Sequence, residues 1–160
     1  MSAPARPAST GPVVLDEVAK AIVRILQHDG RTPYATIARE VGLSEAAVRQ
    51  RIQRLLDSDL VQIVAVTDPA QVGFTRQALI GISTTGDSQR VADRLSALEE
   101  VSYVVSTTGR YDLLVEVVCT DDDHLLTLLQ KTIRGTRGVT ATETFQYLKL
   151  NKQRYDWGAR

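Results

Sequence analysis

The chain carries one cysteine, Cys119, in 160 residues, so no intramolecular disulfide can staple it. Cys119 sits in the apolar run LLVEVVC, which suits a buried, inert thiol in a reducing cytoplasm. An excess of charge is missing too. The 19 basic residues balance 19 acidic ones, which excludes a protein that coats nucleic acid by bulk charge. No apolar run approaches the ~18 residues that suggest a bilayer span, so no membrane partner is expected. Residues 1–12 (MSAPARPASTGP) lack the apolar stretch of a signal peptide and read as a flexible tail. There is no Gly-rich phosphate loop, nucleophile elbow or convincing Ser/His/Asp set, and hence no expectation of an enzyme. His28 and His124 lie far apart without partners at ligand spacing, which argues against a metal. Asp121, Asp122 and Asp123 are consecutive, so their side chains diverge and read as charge at a helix start.

What is present begins with residues 32–56 (TPYATIAREVGLSEAAVRQRIQRLL), which read as a helix-turn-helix. Ala38 allows a close helix approach, Gly42 makes the turn, and Val48 wedges the second helix onto the first. Thr32 is expected to cap the first of these helices, with Pro33 at its first position. Ser44 is expected to cap the second, and Glu45 suits the positive end of its dipole. Val48, Ile52, Leu55 and Leu56 recur at helical spacing and make the core face. The other faces are left for DNA. Arginine can bond guanine and glutamine adenine in a bidentate manner, and such a helix reads bases through its N-terminal half. Ser44, Glu45, Ala46, Arg49 and Gln50 are therefore the candidate base-facing residues. Arg31, Arg51 and Arg54 are the candidate phosphate contacts, which set register. The alternative is a set of ordinary solvated arginines. Residues 31–54 hold five arginines against two glutamates, a local net charge of +3. One such head binds weakly, because affinity grows with the number of phosphates neutralised. A dimer or larger assembly is expected.

The chain has room for one or two small domains. Its first helix is expected to use Leu15, Val18, Ile22, Ile25 and Leu26 as its core face and to end near Asp29-Gly30. After the breaker at Asp57-Ser58-Asp59 the rhythm changes to strand, helix, strand, strand, helix, strand. A short strand over Val61 to Val66 leads out of the helical region. The next spans Arg76 to Thr84, with Ala78, Ile80 and Ile82 on one side and Leu79 on the other. Asp87 caps a helix with Val91, Leu95 and Leu98 inward. Two strands, Val101 to Thr107 and Tyr111 to Cys119, meet through Thr108-Gly109-Arg110. Asp121 opens the last helix, whose apolar face is Leu125, Leu126, Leu128, Leu129 and Ile133, with Gly135 as C-cap. A final strand covers Val139 to Leu150. This β-α-β-β-α-β order is the ferredoxin-like split arrangement, an α+β fold with both helices on one face of the sheet. Pairing with a second copy is the simplest cover for the other face.

The segments LDEVAKAIVRILQHDGR, IAREVGLSEAAVRQRIQRL, DPAQVGF, TGRYDLLVEV and RGVTATETFQYLKLNK follow one another over about residues 14 to 152. In that order they resemble the leucine-responsive regulatory protein/AsnC family, the feast/famine transcription regulators. The T-G-x-Y-D hairpin downstream of this helix-turn-helix carries the resemblance. The resemblance implies a winged helix-turn-helix domain followed by a ferredoxin-like, ACT-like (RAM) domain. It implies a homodimer assembling to an octamer or another multimer of dimers, with double-stranded DNA and an amino-acid-like effector as partners and no cofactor. A nucleoid-associated cytoplasmic location goes with that reading.

The expected layout is a tail at 1–12, the DNA-binding domain at 13–60 and a linker strand or hinge at 61–72. The effector-binding and oligomerisation domain then spans 73–150, with a C-terminal tail at 151–160. The effector region is carried over to Thr108, Gly109, Tyr111 and Asp112, with Thr142 and Thr144 on the last strand. Asp112 would accept from an ammonium group and backbone N–H groups near Gly109 would donate to a carboxylate. The bland alternative is that Gly109 only makes the turn and Asp112 only braces it. Ala19 and Asp59 depart from the family pattern, which usually has aspartate and glycine there. Tyr155 and Trp157 in the tail either pack on a neighbouring subunit or dock loosely. Two other functions remain open at this point: an effector-independent DNA-organising protein, and an enzyme or enzyme-regulatory subunit built on the ACT-like domain.

Overall fold

The computed structural model describes residues 15–159, and the tail expected over 1–12 lies outside them. The chain divides into two compact units. One comprises residues 15–65 with 152–159, and the other residues 66–151.

In the first unit, α1 (Glu17–His28) starts at Asp16, whose side chain accepts the Ala19 N–H at 2.7 Å. Helices α2 (Tyr34–Val41) and α3 (Glu45–Asp57) form the helix-turn-helix. Gly42 takes φ 69° between them, and the Leu43 N–H bonds back to the Ala38 carbonyl at 3.0 Å. A side chain would resist that left-handed turn. Ile22, Leu26, Ile37, Ala38, Val48, Ile52 and Leu55 fill the core, with Leu15, Val18, Ile25 and Leu56 packed at its margin. Ala19 is buried, in keeping with an apolar residue at that point of α1. Asp59 is left-handed at φ 56°, a conformation that Asp tolerates better than most residues.

Two local expectations are corrected. Thr32 does not cap α2: its hydroxyl donates to the Asp29 carbonyl at 2.8 Å, and α2 begins after Pro33 with no side-chain cap. Residues 61–66 form no strand, and no wing is present among the described residues of this unit. A strand needs a ladder partner, and residues 15–65 contain no other strand.

The C-terminal segment docks on its own helical unit. The Gln27 side-chain amide accepts the Gly158 N–H at 3.0 Å and donates to its carbonyl at 3.4 Å, and Ala159 packs on the core. Tyr155 and Trp157 do not do the docking, and Trp157 stays 78% exposed.

The second unit opens with a 3-10 turn at Pro69–Val72 and runs β1 (Arg76–Thr84), α4 (Ser88–Ser96), β2 (Val101–Ser106) and β3 (Leu113–Cys119). Helix α5 (Asp122–Thr127) continues through a π-helical stretch, Leu128–Ile133, and β4 (Val139–Gln146) completes the sheet. Strand order is β2-β3-β1-β4 and every neighbouring pair is antiparallel. Alternation sends Ala78, Ile80, Ile82, Leu113, Val115 and Val117 to one face, where Val91, Leu95, Leu125, Leu128 and Ile133 of the two helices cover them. Leu126 points away from this core. On the opposite face Tyr103 is 55% and Phe145 46% exposed.

Strand β4 stops at Gln146 and not at Leu150, because its partner β1 begins at Arg76 and supplies no further ladder. The last cross-bond is Tyr147 N–H to the Gln77 carbonyl at 2.8 Å, and Leu148 beyond it is 96% exposed. The chain also turns left-handed at Gly138, not at Gly135.

Candidate DNA-reading and effector sites

Helix α3 owes its direction to its cap. The Ser44 hydroxyl accepts the Ala47 N–H at 3.2 Å, and Val48, Ile52 and Leu55 then fall inward. The remaining positions face solvent: Ser44, Glu45, Ala46, Arg49 and Gln50 are all exposed along the first half of the helix. Arg31 and Arg54 are exposed as well.

Besides Ser44, three candidate residues already have side-chain partners: Glu45, Arg49 and Arg51. Arg49 donates to Glu45 at 3.1 Å, one helical turn back, and its guanidinium lies over the Tyr34 ring at 5.0 Å. Tyr34 is a contributor that sequence reasoning missed. The available signal was an aromatic opening the helix just before an arginine-bearing helix. Arg51 differs from the others: it is half-buried and donates to Asp16 at 2.6 Å, tying α3 to the cap of α1. The Ala19 N–H and the Arg51 guanidinium hold the Asp16 carboxyl below the usual carboxylate range. In the free protein Arg51 is an interhelical brace, and a phosphate contact must compete with that brace.

The effector candidates lie at the end of the sheet where β1 finishes and the β2–β3 hairpin turns. Asp112 joins the two. Its N–H bonds the Ile82 carbonyl at 3.0 Å, and its Oδ2 accepts both the N–H (2.6 Å) and the hydroxyl (3.0 Å) of Thr84. Among the described residues both side-chain bonds use Oδ2, which leaves Oδ1 its accepting capacity. The Thr107 hydroxyl donates to the Tyr111 carbonyl, which tightens the hairpin. Thr108 and Gly109 stand at its tip, with Gly109 exposed. Gly109 has no positive φ, and a Cβ there would meet open space.

The Tyr111 ring lies on Gly81, and a Cβ at 81 would fall 2.5 Å from the ring. This ring covers the sheet on the face away from the helices, and its hydroxyl is buried without a hydrogen-bond partner among the described residues. Arg110 sits over the same ring at 5.5 Å and reaches Glu143 at 3.7 Å.

Thr142 and Thr144 pair with Ile82 and Ile80, which puts them on the helix-covered face. Thr142 accepts from the Arg134 guanidinium at 3.0 Å and borders a recess of about 340 Å³ with Arg134, Val139, Thr140 and Ala141. The six effector candidates are thus divided. Four share the hairpin, while the two threonines of β4 occupy the other face of the sheet.

The remaining chemistry-bearing residues have local roles. Asp121 caps α5 by accepting the His124 N–H at 2.8 Å, and Asp122 takes the Arg76 guanidinium at 2.5 and 2.9 Å. His124 faces Glu100 at 3.3 Å. Burial, followed by Glu100 and Asp121, pushes the Cys119 thiol up, which keeps it protonated.

Comparison with known proteins also yields two parts, the second of which runs on into the C-terminal segment. The AsnC-type helix-turn-helix domain matches residues 15–56, and the Lrp/AsnC ligand binding domain matches residues 77–157. The HTH-type transcriptional regulator FL11 of Pyrococcus horikoshii is 34% identical over 143 residues, covering 88% of this chain and 94% of its own. A feast or famine regulatory protein from M. tuberculosis, solved in complex with L-methionine, is 31% identical with a TM-score of 0.79. That alignment covers 88% of this chain and 96% of the other. E. coli AsnC superposes with a TM-score of 0.79 at 25% identity, over 89% of this chain and 98% of its own. With a reading head in one unit, a ferredoxin-like sheet in the other and relatives aligned across both, the chain belongs to the Lrp/AsnC family of transcriptional regulators.

Proposed function

We propose that this regulator reads base edges with Ser44, Glu45, Ala46, Arg49 and Gln50 and that an amino acid bound at the β2–β3 hairpin sets its DNA affinity. Arg31 and Arg54 take phosphates, and Arg51 does so only where DNA outcompetes Asp16. The observation that carries the effector reading is the pairing of Gly109 with Asp112. The hairpin holds a glycine that its own backbone does not require, three residues from a carboxylate with one uncommitted oxygen. A glycine without a local conformational reason leaves room for close approach from outside. The ligand's ammonium group meets Asp112, and its carboxylate meets backbone N–H groups near Gly109. Thr108 and Tyr111 border the same turn. Because Thr142 and Thr144 lie on the other face of the sheet, they complete such a site from a second copy. M. tuberculosis and N. meningitidis relatives solved with L-methionine make that amino acid the first probe.

A homodimer fits the exposed face carrying Tyr103 and Phe145, and a multimer of dimers presents several weak heads together. Linked heads gain affinity through effective concentration, so a small change in packing switches occupancy.

The test is thermal shift of the full chain with L-methionine and the other common amino acids, alongside DNA-binding titrations. A ligand at a hundred times its Kd stabilises the state it binds by about 2.7 kcal/mol. Asp112→Asn, which retains an acceptor for Thr84, is expected to lose the ligand shift while keeping intrinsic DNA binding. If no amino acid alters melting or DNA affinity, the effector reading is overturned. Unchanged ligand affinity in Asp112→Asn would remove Asp112 from the site.

A further inference from the structure

The start of α4 and the loop before β4 enclose a recess of about 390 Å³ bordered by Thr85, Gly86, Arg90, Arg94, Arg137 and Gly138. It is built by a close approach of two backbones. Gly138 sits at φ +103°, where a Cβ would come within 2.9 Å of Val91 on α4, so the loop can lie against the helix only with glycine there. The Gly138 carbonyl accepts the Thr85 N–H at 2.8 Å, and Arg94 donates to the Arg137 carbonyl at 3.0 Å. These bonds hold Arg137 beside Arg90 and Arg94.

Three arginines therefore line one recess with a single acidic residue among the described residues. That carboxylate, Asp87, pairs with Arg90 at 3.2 Å and spends its other oxygen capping the Gln89 N–H at 3.1 Å. Arg94 is held through a neutral carbonyl, and the Arg137 side chain has no ion-pair partner among the described residues. In a chain with no net charge, a local surplus of two positive charges stands out. Like charges gathered around a concave surface repel one another unless an anion lies between them, and guanidinium forks match the oxygens of phosphate.

We infer that this recess binds a phosphate group, separately from both the helix-turn-helix and the hairpin. Two sources carry that chemistry: a backbone phosphate of DNA that extends past the reading head, or a free phosphorylated small molecule.

Arg90→Gln and Arg137→Gln test it, because both side chains act from the surface and neither holds the loop. Inorganic phosphate and pyrophosphate, exchanged for chloride at constant ionic strength, are expected to raise the melting temperature of the wild-type chain. DNA affinity is measured over a salt series. Each DNA phosphate that a variant no longer neutralises lowers the slope of log K against log salt by about 0.9. A phosphate-induced shift that disappears in both variants, with an unchanged salt slope, assigns a free phosphorylated ligand. A slope reduced by about that amount in each variant assigns the DNA backbone. Variants that match the wild type in both measurements overturn the inference. Neither result depends on an amino-acid effector, so this test stands apart from that of the hairpin.

Discussion

In the helical unit α1, α2 and α3 bury Ile22, Ile37 and Ile52 against one another, and the exposed large apolar residues, Val64 and Trp157 among them, lie outside the three helices. In the sheet unit α4 and α5 cover one face of the strands, while the other keeps Tyr103 and Phe145 in solvent. The helical unit closes its core with its own chain, including Ala159 from the C-terminal segment. The sheet unit closes half of its surface. A helix needs to bury one stripe, whereas a sheet presents two faces and two helices suffice for only one of them. The proposed reading surface therefore lies within a single copy, whereas the proposed effector site draws on a second one.

The strongest challenge to that comparison removes one core at a time. Ile52→Ala and Ile80→Ala are each expected to cost about 2–5 kcal/mol, since both residues are fully buried. In calorimetry Ile52→Ala should lower the transition of the helical unit and abolish DNA binding, while Ile80→Ala should lower that of the sheet unit. A single transition shifted equally by both would show that the units do not close separately. Phe145→Glu tests the uncovered face. It places a charge where we expect a second copy, and sedimentation should show the dimer dissociation constant raised by more than about tenfold. No change in assembly would show that this face is not the contact. Ser44→Ala is expected to cost about 1 kcal/mol, confined to the helical unit, by leaving the α3 amide of Ala47 without its acceptor. A loss in the sheet unit's transition instead would break the separation from the other side.

The smallest expected effect concerns Tyr147, at the end of β4. Burial, then the Glu116 charge and its hydrogen bond at 3.1 Å, push this phenol up to about 12 from an ordinary 10.0. A raised folded value means that the protonated phenol is favoured by folding. Its contribution is fully present below about pH 10 and is lost as pH rises towards 12. Phenolate absorbance should show a component titrating above the ordinary phenol range, and Tyr147→Phe should remove that component. An unchanged alkaline titration would place Tyr147 in open solvent.

Much of the fold was legible because local signals agreed with burial. β1 runs over the residues its alternation implied, and Ser44, Asp87 and Asp121 cap their helices as their positions suggested. The misreadings occur where a signal needed a distant partner. Residues 61–66 have strand composition, but a strand exists only beside another strand. Leu148 and Leu150 continue the pattern of β4 past the point where β1 ends. Thr32 has the chemistry of a cap, yet its hydroxyl is taken by the Asp29 carbonyl. The candidate site shows the same limit. Arg51 read like Arg31 and Arg54 in sequence, as a phosphate contact, and only Asp16, 35 residues away, makes it a brace.

The sequence by itself determined the helices of the first unit, the strands and helices from β1 to β4 and the exposed first half of α3, because helical and strand periodicities and caps are short-range properties of the chain. Tertiary structure alone decided that Tyr111 covers Gly81, that Thr142 and Thr144 face away from the hairpin, and that Arg90, Arg94 and Arg137 converge. Those relations depend on strand register and on the close approach at Gly138, which bring together residues that no local pattern connects.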